Sequence, residues 1–198
     1  GFSAGRRLSS IGKRTFDIVA SLLLLIVGLP LTGIFAVLVK LETGGPAFFR
    51  QKRVGLYGQT FTLIKLRSMR FDAEANGAQW AEKGDPRVTR VGRVIRTVRI
   101  DELPQAWSVL KGEMSLVGPR PGLFNQEELT AERSRLNVYA ARPGITGLAQ
   151  VTGIDMSTPK LLAETDRKML DSLTVVAYFK YIVMTVTGSG SGDAAKKS

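Results

Sequence analysis

Two residue types that carry much of enzyme chemistry, histidine and cysteine, are missing from the sequence. Their absence excludes catalytic pairs that need an imidazole or a thiol, disulfide bonds, and the haem, iron–sulfur and zinc sites that these residues ligate. Any bound metal must use oxygen ligands, which favours Mg²⁺, Mn²⁺ or Ca²⁺. A nucleophile or general base must therefore come mainly from Asp, Glu, Lys, Ser, Thr or Tyr.

Aromatic residues are scarce, at 8%, and the 17 acidic residues are outnumbered by 28 basic ones. The imbalance lies in the first half: residues 1–100 hold 17 basic and 6 acidic side chains, whereas residues 101–198 hold 11 of each. This excess indicates either a solvated basic surface or a polyanionic partner, namely nucleic acid, anionic lipid or a phosphorylated substrate. Aromatic residues do not interleave with the basic stretch, so stacking on nucleic-acid bases is not expected.

One long segment, Ile18–Val39, contains no charged side chain over 22 residues. As a helix it is about 33 Å long, enough to cross a hydrocarbon core of about 30 Å. Gly28, Leu29 and Pro30 interrupt its middle, where proline removes a backbone donor and disfavours helical geometry at the preceding residue. Basic residues flank both ends equally, which favours placing both ends on the cytoplasmic side. The pattern leaves open a re-entrant helix broken at these residues or a single kinked transmembrane helix.

Outside this segment the sequence predicts a mainly α-helical α+β domain. Alternating apolar and basic residues over Ala47–Val54 and Gln59–Met69 predict a β-hairpin. Helices are predicted over 87–100, from Asp101 to about Leu110, over Pro159–Leu170 and over Ser172–Thr187, and loops over Gly118–Pro121 and Arg142–Gly147. We therefore divide the chain into a basic N-terminus with the membrane helix (1–40), a folded domain (41–187) and a Gly/Ser-rich tail predicted to be disordered (188–198).

An acidic pair, Asp101 and Glu102, follows a segment in which arginine recurs at every third position from 87 to 99. That spacing distributes guanidinium groups around a helix, so only one or two can face a common site. Asp101 ahead of Pro104 is typical of a helix N-cap, which is the purely structural interpretation. Beside so many cations, Asp101 is also suited to attack phosphorus and Glu102 to ligate Mg²⁺.

Several longer motifs give the sequence a specific resemblance. They are Asp101-Glu102-Leu103-Pro104-Gln105, the run Ser115–Pro121 (SLVGPRP) and the run Arg142–Val151 (RPGITGLAQV), with Lys13, Arg14 and Asp17 before the apolar segment and Lys65 in the second predicted strand. In this order the sequence resembles the bacterial sugar transferase family, the monotopic phosphoglycosyl transferases. The resemblance extends from about residue 13 to residue 187 and therefore covers nearly the whole chain.

The resemblance implies an enzymatic reaction and a cellular location. Such enzymes transfer a sugar 1-phosphate from a UDP-sugar to undecaprenyl phosphate and release UMP, as the first membrane step of bacterial glycoconjugate assembly. It implies an α+β, mainly α-helical fold: a re-entrant membrane helix broken near Pro30, then a small cytosolic catalytic domain with a β-hairpin and amphipathic interfacial helices, on the cytoplasmic face of the inner membrane. Leu123–Gln126 resembles a subgroup that uses N-acetylated amino sugars. The resemblance leaves a homodimer open and implies no nucleic-acid partner.

The resemblance also implies roles for the acidic pair. Asp101 corresponds to the family's nucleophile, which attacks the β-phosphorus and forms a covalent phosphosugar–aspartyl intermediate. Glu102 corresponds to a ligand for the cofactor Mg²⁺, to which Asp101 contributes as well.

Further positions of the expected site follow from the same resemblance. Arg120, between Pro119 and Pro121, is expected to hold the nucleotide or its phosphates. Lys65 and Arg96 correspond to basic positions near the site. Asp166 corresponds to a further acid of the site, whose role the sequence does not assign.

Two alternatives to the transferase remain at this point. A membrane-anchored basic protein that binds anionic lipid or nucleic acid explains the charge and the apolar segment, but gives no role to Asp101 and Glu102. A phosphohydrolase that uses water as the acceptor is the other, although water requires no lipid-facing site. The sequence does not identify the sugar, the glycan pathway or the oligomeric state.

Overall fold

The structure is a computed structural model that describes residues 10–73, 75 and 84–187, and the backbone of 81–82 and 194–195. The described helices are α1 Ser10–Thr43, α2 Arg90–Thr97, α3 Gln105–Lys111, α4 Glu127–Arg135, α5 Leu148–Thr152, α6 Pro159–Ser172 and α7 Val175–Val186. The strands are β1 Phe48–Val54, β2 Thr60–Leu66, β3 Ala81–Glu82, β4 Ser115–Val117, β5 Gly144–Thr146 and β6 Ala194–Ala195. Helix dominates, as predicted. Apart from β6, the tail predicted to be disordered lies outside the described residues.

The predicted β-hairpin is confirmed. β1 and β2 pair in antiparallel register, with Phe48 opposite Leu66 and Val54 opposite Thr60, around a 3₁₀ turn at Leu56–Gly58. β3 pairs in parallel with β6, and β4 pairs in parallel with β5.

A second small sheet was not predicted. The segment Arg142–Gly147 was expected to be a loop, but its centre forms β5, which lies beside β4 with Ser115 opposite Gly144. A Cβ atom on Gly144 would collide with the backbone of Gly118, so glycine permits this close approach. Strands of three residues are too short to show the alternating pattern that identifies strands in a sequence.

The apolar segment forms one helix, α1, which is long and apolar enough to cross a membrane by length and composition. Most of its large apolar side chains are exposed; Ile26 and Val27, for example, are 68% and 75% exposed. The break predicted at Gly28, Leu29 and Pro30 does not appear as a gap, because α1 continues through Pro30. A proline removes only one helical donor, so the hydrogen bonds on either side can hold the helix together.

The N-terminal end of α1 is bound to the folded domain through buried polar contacts. Asp17, 2% exposed, accepts hydrogen bonds from the Ser115 hydroxyl (2.7 Å), the Leu116 amide (3.1 Å) and the Tyr178 hydroxyl. Lys13 donates to the Val117 carbonyl at 2.8 Å. These contacts attach α1 to β4 and α7.

The C-terminal end of α1 contacts the same domain on different elements. Val39 is buried in an apolar cluster with Leu66, Ile95 and Ile100. Glu42 accepts hydrogen bonds from the backbone amide of Arg90 at 2.8 Å, at the start of α2. Both ends of α1 are therefore attached to one folded unit.

The main core lies between the hairpin, α3, β4, α6 and α7. Its buried members are Leu63, Val109, Met114, Leu116, Val117, Met169, Tyr178 and Tyr181. The helix predicted at 87–100 is shorter than expected, because Thr89 caps α2 by accepting from the Gly92 amide at 2.8 Å. α3 ends at Lys111, next to the predicted end at about Leu110, and Gly112 caps it with a φ of 88°, which suits glycine.

Candidate active site

The acidic pair lies in a short connection between α2 and α3. The chain leaves α2 through Arg99, which has a left-handed backbone (φ 56°), and enters the 3₁₀ turn Ile100–Glu102. Ile100 anchors this turn in the apolar cluster beside α1, and Asp101 and Glu102 are only 6% and 7% exposed. The expectation that Asp101 caps a helix is wrong: α3 begins at Gln105 with Pro104 at its N-cap position.

Two cations hold the carboxylate of Glu102. Lys65 on β2 and Arg120 in the loop after β4 both reach its Oε1, at 3.5 Å and 3.1 Å. Burial alone would raise the pKa of Glu102, but these two cations lower it to about 2. Burial lowers the pKa of Lys65 to about 8, even though Glu102 opposes this shift. Glu102 is therefore a fixed negative charge that brings Lys65 and Arg120 together.

Asp101 has a different environment, because it lies in the wall of a cavity of about 280 Å³. Burial, followed by the negative charge of Glu102, raises the pKa of Asp101 to about 6. The positive charges of Lys65, Arg96 and Arg120 oppose that rise. Asp101 is thus a buried carboxylate that faces open space and is surrounded by cations, an arrangement suited to an anionic ligand.

The cavity wall combines cations with apolar side chains. Its basic residues are Arg50, Arg53, Lys65, Arg67, Arg70 and Arg96. Its apolar residues include Pro46, Phe48, Leu66, Met69, Phe71 and Leu123. Asp101 is the only carboxylate among the described residues that line it. Such a wall fits a ligand with negative charge and apolar parts.

The loop Pro119–Arg120–Pro121 is fixed by its backbone carbonyls. The carbonyl of Pro119 accepts from the Gly144 amide at 2.8 Å, that of Arg120 from Arg133 Nη1 at 2.8 Å, and that of Pro121 from Arg53 Nη1 at 3.0 Å. Three contacts on three successive carbonyls hold the loop so that the Arg120 side chain points towards Glu102.

Asp166, expected as a further site acid, is not in the cavity wall. It lies on α6, is 1% exposed, and accepts from Arg133 Nη2 at 2.6 Å and Nε at 3.0 Å. Arg133 in turn donates to the Arg120 carbonyl. The structure therefore places Asp166 behind the loop, where it is linked to the site through Arg133.

The sequence motifs missed Arg53, Arg67 and Arg133. Single basic residues on a strand or a helix carry no local signal that distinguishes them from surface residues. Their burial, 5–6% exposure for Arg53 and Arg67 and 1% for Arg133, becomes visible only in the folded chain.

The carboxylates present fit Mg²⁺ only in part. Among the described residues no group of three or more acidic side chains could enclose a metal ion. Asp101 and Glu102 supply two carboxylates, and Mg²⁺ bound with substrate phosphates usually takes one or two plus water. The donor set therefore suits an ion that the substrate's phosphates help to hold.

The comparison with protein families agrees with this geometry. A family model described as bacterial sugar transferase matches residues 8–190. The chain belongs to this family. The matched residues include α1, the hairpin, the acidic pair and the loop of Arg120, so the whole candidate site lies within the match.

Curated relatives in this family support the assignment. The chain is 48% identical over 144 residues to the UDP-glucose:undecaprenyl-phosphate glucose-1-phosphate transferase of Caulobacter vibrioides, covering 72% of this chain and 54% of that protein. It is 42% identical over 191 residues to the UDP-N-acetylgalactosamine-undecaprenyl-phosphate N-acetylgalactosaminephosphotransferase of Aeromonas hydrophila, covering 90% of this chain and 44% of that protein. The chain thus spans about half the length of these two relatives.

A third relative is of similar size to the chain. The exopolysaccharide production protein PSS of Rhizobium leguminosarum bv. phaseoli is 38% identical over 179 residues, which is 86% of this chain and 88% of that protein.

Proposed function

We propose that this chain transfers a sugar 1-phosphate from a UDP-sugar to undecaprenyl phosphate, with release of UMP. The observation that carries the proposal is the position of Asp101: a buried carboxylate in a cavity wall, next to Lys65, Arg96 and Arg120. Family membership and the names of the relatives support the same chemistry.

In the first half of the reaction, Asp101 is the nucleophile. One carboxylate oxygen forms a bond to the β-phosphorus of the UDP-sugar, and the bond from that phosphorus to the bridging oxygen breaks. UMP leaves with the electron pair, and the sugar phosphate remains on Asp101 as a covalent acyl phosphate. Lys65 and Arg120 lie where they can stabilise the charge of the diphosphate and of the departing UMP.

In the second half, the acceptor phosphate displaces Asp101. An oxygen of undecaprenyl phosphate forms a bond to the same phosphorus, the bond to Asp101 breaks, and the carboxylate regains its electron pair.

We include Mg²⁺ as the proposed cofactor, held by Asp101 and Glu102 together with substrate phosphates. When bound, the ion supplies positive charge that stabilises the diphosphate as its bond breaks. Lys65 and Arg120 keep Glu102 ionised, so that its carboxylate is available as an oxygen ligand.

The proposal includes a re-entrant, monotopic position on the cytoplasmic face of the inner membrane. Both ends of α1 contact one folded unit, whereas a spanning helix would separate the partners of Asp17 from those of Glu42 by a bilayer. α7 adds apolar surface beside the N-terminal half of α1, since Val176 and Val186 are 71% and 80% exposed and the Phe16 and Phe179 rings are in edge contact. Such exposed apolar faces fit a membrane interface.

A turnover assay tests the proposal. The protein in nanodiscs is given undecaprenyl phosphate, Mg²⁺ and a panel of UDP-sugars that includes N-acetylated amino sugars, and UMP is measured. We expect UMP release that requires both substrates, and its loss in Asp101→Asn. The matched control is Asp171→Asn on exposed α6, which is expected to retain activity.

The alternative functions give different results in the same assay. Release of UMP without a lipid acceptor over many turnovers would indicate a phosphohydrolase. Salt-sensitive binding of nucleic acid or anionic lipid with no UMP from any donor would indicate a basic binding protein. Full activity of Asp101→Asn would contradict the proposed nucleophile.

A further inference from the structure

One arginine in the cavity wall has unsatisfied hydrogen-bond donors. Arg67 follows β2 and is 5% exposed. Its Nη2 donates to the Thr43 hydroxyl at 2.7 Å and to the Gly44 carbonyl, at the C-terminal end of α1. Its Nε and Nη1 are buried and have no hydrogen-bond partner in the described part of the chain. Buried guanidinium donors without partners are unfavourable, so this geometry points to a ligand that accepts from them.

The surroundings of Arg67 favour an anion. Arg96 lines the same cavity, and its Nε donates a hydrogen bond at 2.8 Å to the hydroxyl of Ser68, the residue that follows Arg67. The only described carboxylate in the wall is Asp101. Several cations facing one carboxylate leave a net positive wall, and guanidinium groups bind phosphate oxygens particularly well.

The neighbourhood of Arg67 also favours an apolar part of the ligand. The Phe71 ring lies 5.9 Å from the Arg67 guanidinium carbon and is 69% exposed, and Phe48 on the same wall is 41% exposed. Through Thr43 and Gly44, Arg67 is attached to the end of the long apolar helix α1. An anionic group bound here lies next to the membrane-associated part of the molecule.

On the basis of the proposed function, we infer that Arg67, with Arg96 in the same cavity wall, binds the phosphate of the lipid acceptor. We assign the UDP-sugar to the Lys65–Glu102–Arg120 cluster, of which Lys65 lines the same cavity as Arg67. Asp101 lines the same cavity as Arg67 and interacts electrostatically with Lys65 and Arg120, so it is in contact with the space that both substrates would share. The acceptor phosphate held by Arg67 supplies the oxygen that displaces Asp101 from phosphorus.

The two half-reactions distinguish an acceptor subsite from a donor subsite. Arg67→Met is compared with the unchanged chain in nanodiscs, first for stoichiometric UMP release without acceptor and then for turnover against undecaprenyl phosphate concentration. We expect the UMP burst to stay within about twofold, which also shows that the variant is folded. We expect the KM for undecaprenyl phosphate to rise about tenfold or more, the size typical of lost hydrogen bonds to a charged group.

Two matched variants control the comparison. Arg135→Met removes an exposed arginine of α4 outside the cavity and is expected to leave both half-reactions unchanged. Thr43→Val removes the anchor of Arg67 on α1 but keeps the guanidinium, so its acceptor KM is expected to change far less than that of Arg67→Met. An equal defect in Thr43→Val would show that Arg67 acts only as an anchor and would overturn the assignment.

Two other outcomes would also overturn the assignment of Arg67 to the acceptor phosphate. A smaller UMP burst with a raised KM for the UDP-sugar and an unchanged acceptor KM would place the donor at Arg67. No change in either half-reaction would show that Arg67 binds neither substrate.

A binding measurement separates this inference from the proposed function. Thermal stabilisation in nanodiscs is measured with undecaprenyl phosphate, with undecaprenol and with inorganic phosphate. We expect undecaprenyl phosphate to stabilise the unchanged chain and not Arg67→Met. Equal effects of undecaprenol, or of inorganic phosphate alone, would contradict a lipid-phosphate subsite. If undecaprenyl phosphate binds through Arg67 but the unchanged chain releases no UMP, the subsite stands and the proposed function fails.

Discussion

At the scale of single residues, Asp101 and Glu102 are chain neighbours with opposite surroundings. Glu102 is held by Lys65 and Arg120 and its pKa falls to about 2, whereas burial raises the pKa of Asp101 to about 6. When the surroundings of two neighbouring carboxyl groups shift their pKa values in opposite directions, the two groups typically have different roles. In the proposed mechanism Glu102 is the permanent charge and Asp101 is the group that forms and breaks a bond.

The buried pair Arg133–Asp166 provides a stability prediction at this scale. Arg133→Met leaves the Asp166 carboxylate buried without its cation, which is expected to lower the free energy of unfolding by about 3–5 kcal/mol. The double variant Arg133→Met/Asp166→Leu removes both charges and is expected to recover most of that loss. Chemical unfolding in detergent micelles measures both variants. A double variant as unstable as the single one would contradict this account.

The same double variant tests the link from Asp166 to Arg120. Without Arg133, the Arg120 carbonyl loses the donor that fixes its loop. We therefore expect the KM for the UDP-sugar to rise severalfold while the KM for undecaprenyl phosphate changes little. Equal changes in both constants would indicate a general loss of packing.

The motifs predicted part of the site. The structure brings Lys65 and Arg120 into contact with Glu102, whereas the roles that the resemblance implied for these residues stay predictions. Asp166 was singled out without a role, and its partner Arg133 was missed. A contact between residues 33 positions apart on different helices leaves no trace in the local sequence pattern.

At the scale of secondary-structure elements, the attachment of α1 is the main feature. Its N-terminal end depends on Asp17, a buried carboxylate with three donors from β4 and α7. Its C-terminal end is attached to the domain through Val39, in an apolar cluster, and through Glu42, by hydrogen bonds. The sequence predicted the apolar segment and placed Asp17 in a motif, but the partners of Asp17 are about 100 to 160 positions away.

Asp17→Ala tests this attachment. The substitution leaves the Ser115 hydroxyl, the Leu116 amide and the Tyr178 hydroxyl without their acceptor, so we expect a loss of about 3 kcal/mol or more in unfolding free energy. Tyr178→Phe removes one donor together with its need for a partner and is expected to cost less. Asp171→Ala, at an exposed position, should change stability by about 0.5 kcal/mol or less. Equal stability of Asp17→Ala and Asp171→Ala, measured by unfolding in detergent micelles, would refute the attachment.

The contact between β4 and β5 gives a second prediction at this scale. In Gly144→Ala the new methyl group collides with the backbone of Gly118, which must move together with the loop that carries Arg120. We expect a loss of at least about 2 kcal/mol in stability, together with reduced UMP release. The matched control is Gly33→Ala in α1, where nothing lies within 4 Å of the added atom. That change should be neutral or stabilising by up to about 1 kcal/mol, since alanine favours helix.

The spacing of apolar and polar residues along the sequence predicted the hairpin and the longer helices. It did not predict the elements that contacts with distant residues shape. β5 is defined by its pairing with β4, and the Asp101 turn is shaped by burial of Ile100. The continuity of α1 through Pro30 likewise depends on the surrounding helix, whereas the proline itself predicts an interruption.

At the scale of the whole molecule, the charge excess and the apolar helix belong to one arrangement. The basic half of the sequence supplies α1, the hairpin and α2, and it also supplies the cavity-wall arginines Arg50, Arg67 and Arg96. In the proposed topology these arginines serve phosphorylated substrates, and basic residues near α1 face anionic lipid headgroups. The absence of cysteine makes that topology directly testable.

Single introduced cysteines report the side of each end of α1. Ser10→Cys and Lys40→Cys place thiols at exposed positions near the two ends of the helix in a chain that has no other cysteine. We expect a membrane-impermeant maleimide to label both from the cytoplasmic side, in inside-out vesicles, and neither in intact spheroplasts. Labelling of the two positions from opposite sides would show a spanning helix and contradict the re-entrant proposal.

The central claim is that Asp101 carries the sugar phosphate between donor and acceptor. The protein is mixed with a UDP-sugar that supports turnover, with Mg²⁺ and without undecaprenyl phosphate, and its intact mass is measured. The account predicts an added mass equal to one sugar phosphate, located on the peptide that contains Asp101, absent from Asp101→Asn and removed when undecaprenyl phosphate is added. Turnover with no such adduct, or an adduct that persists in Asp101→Asn, would contradict it.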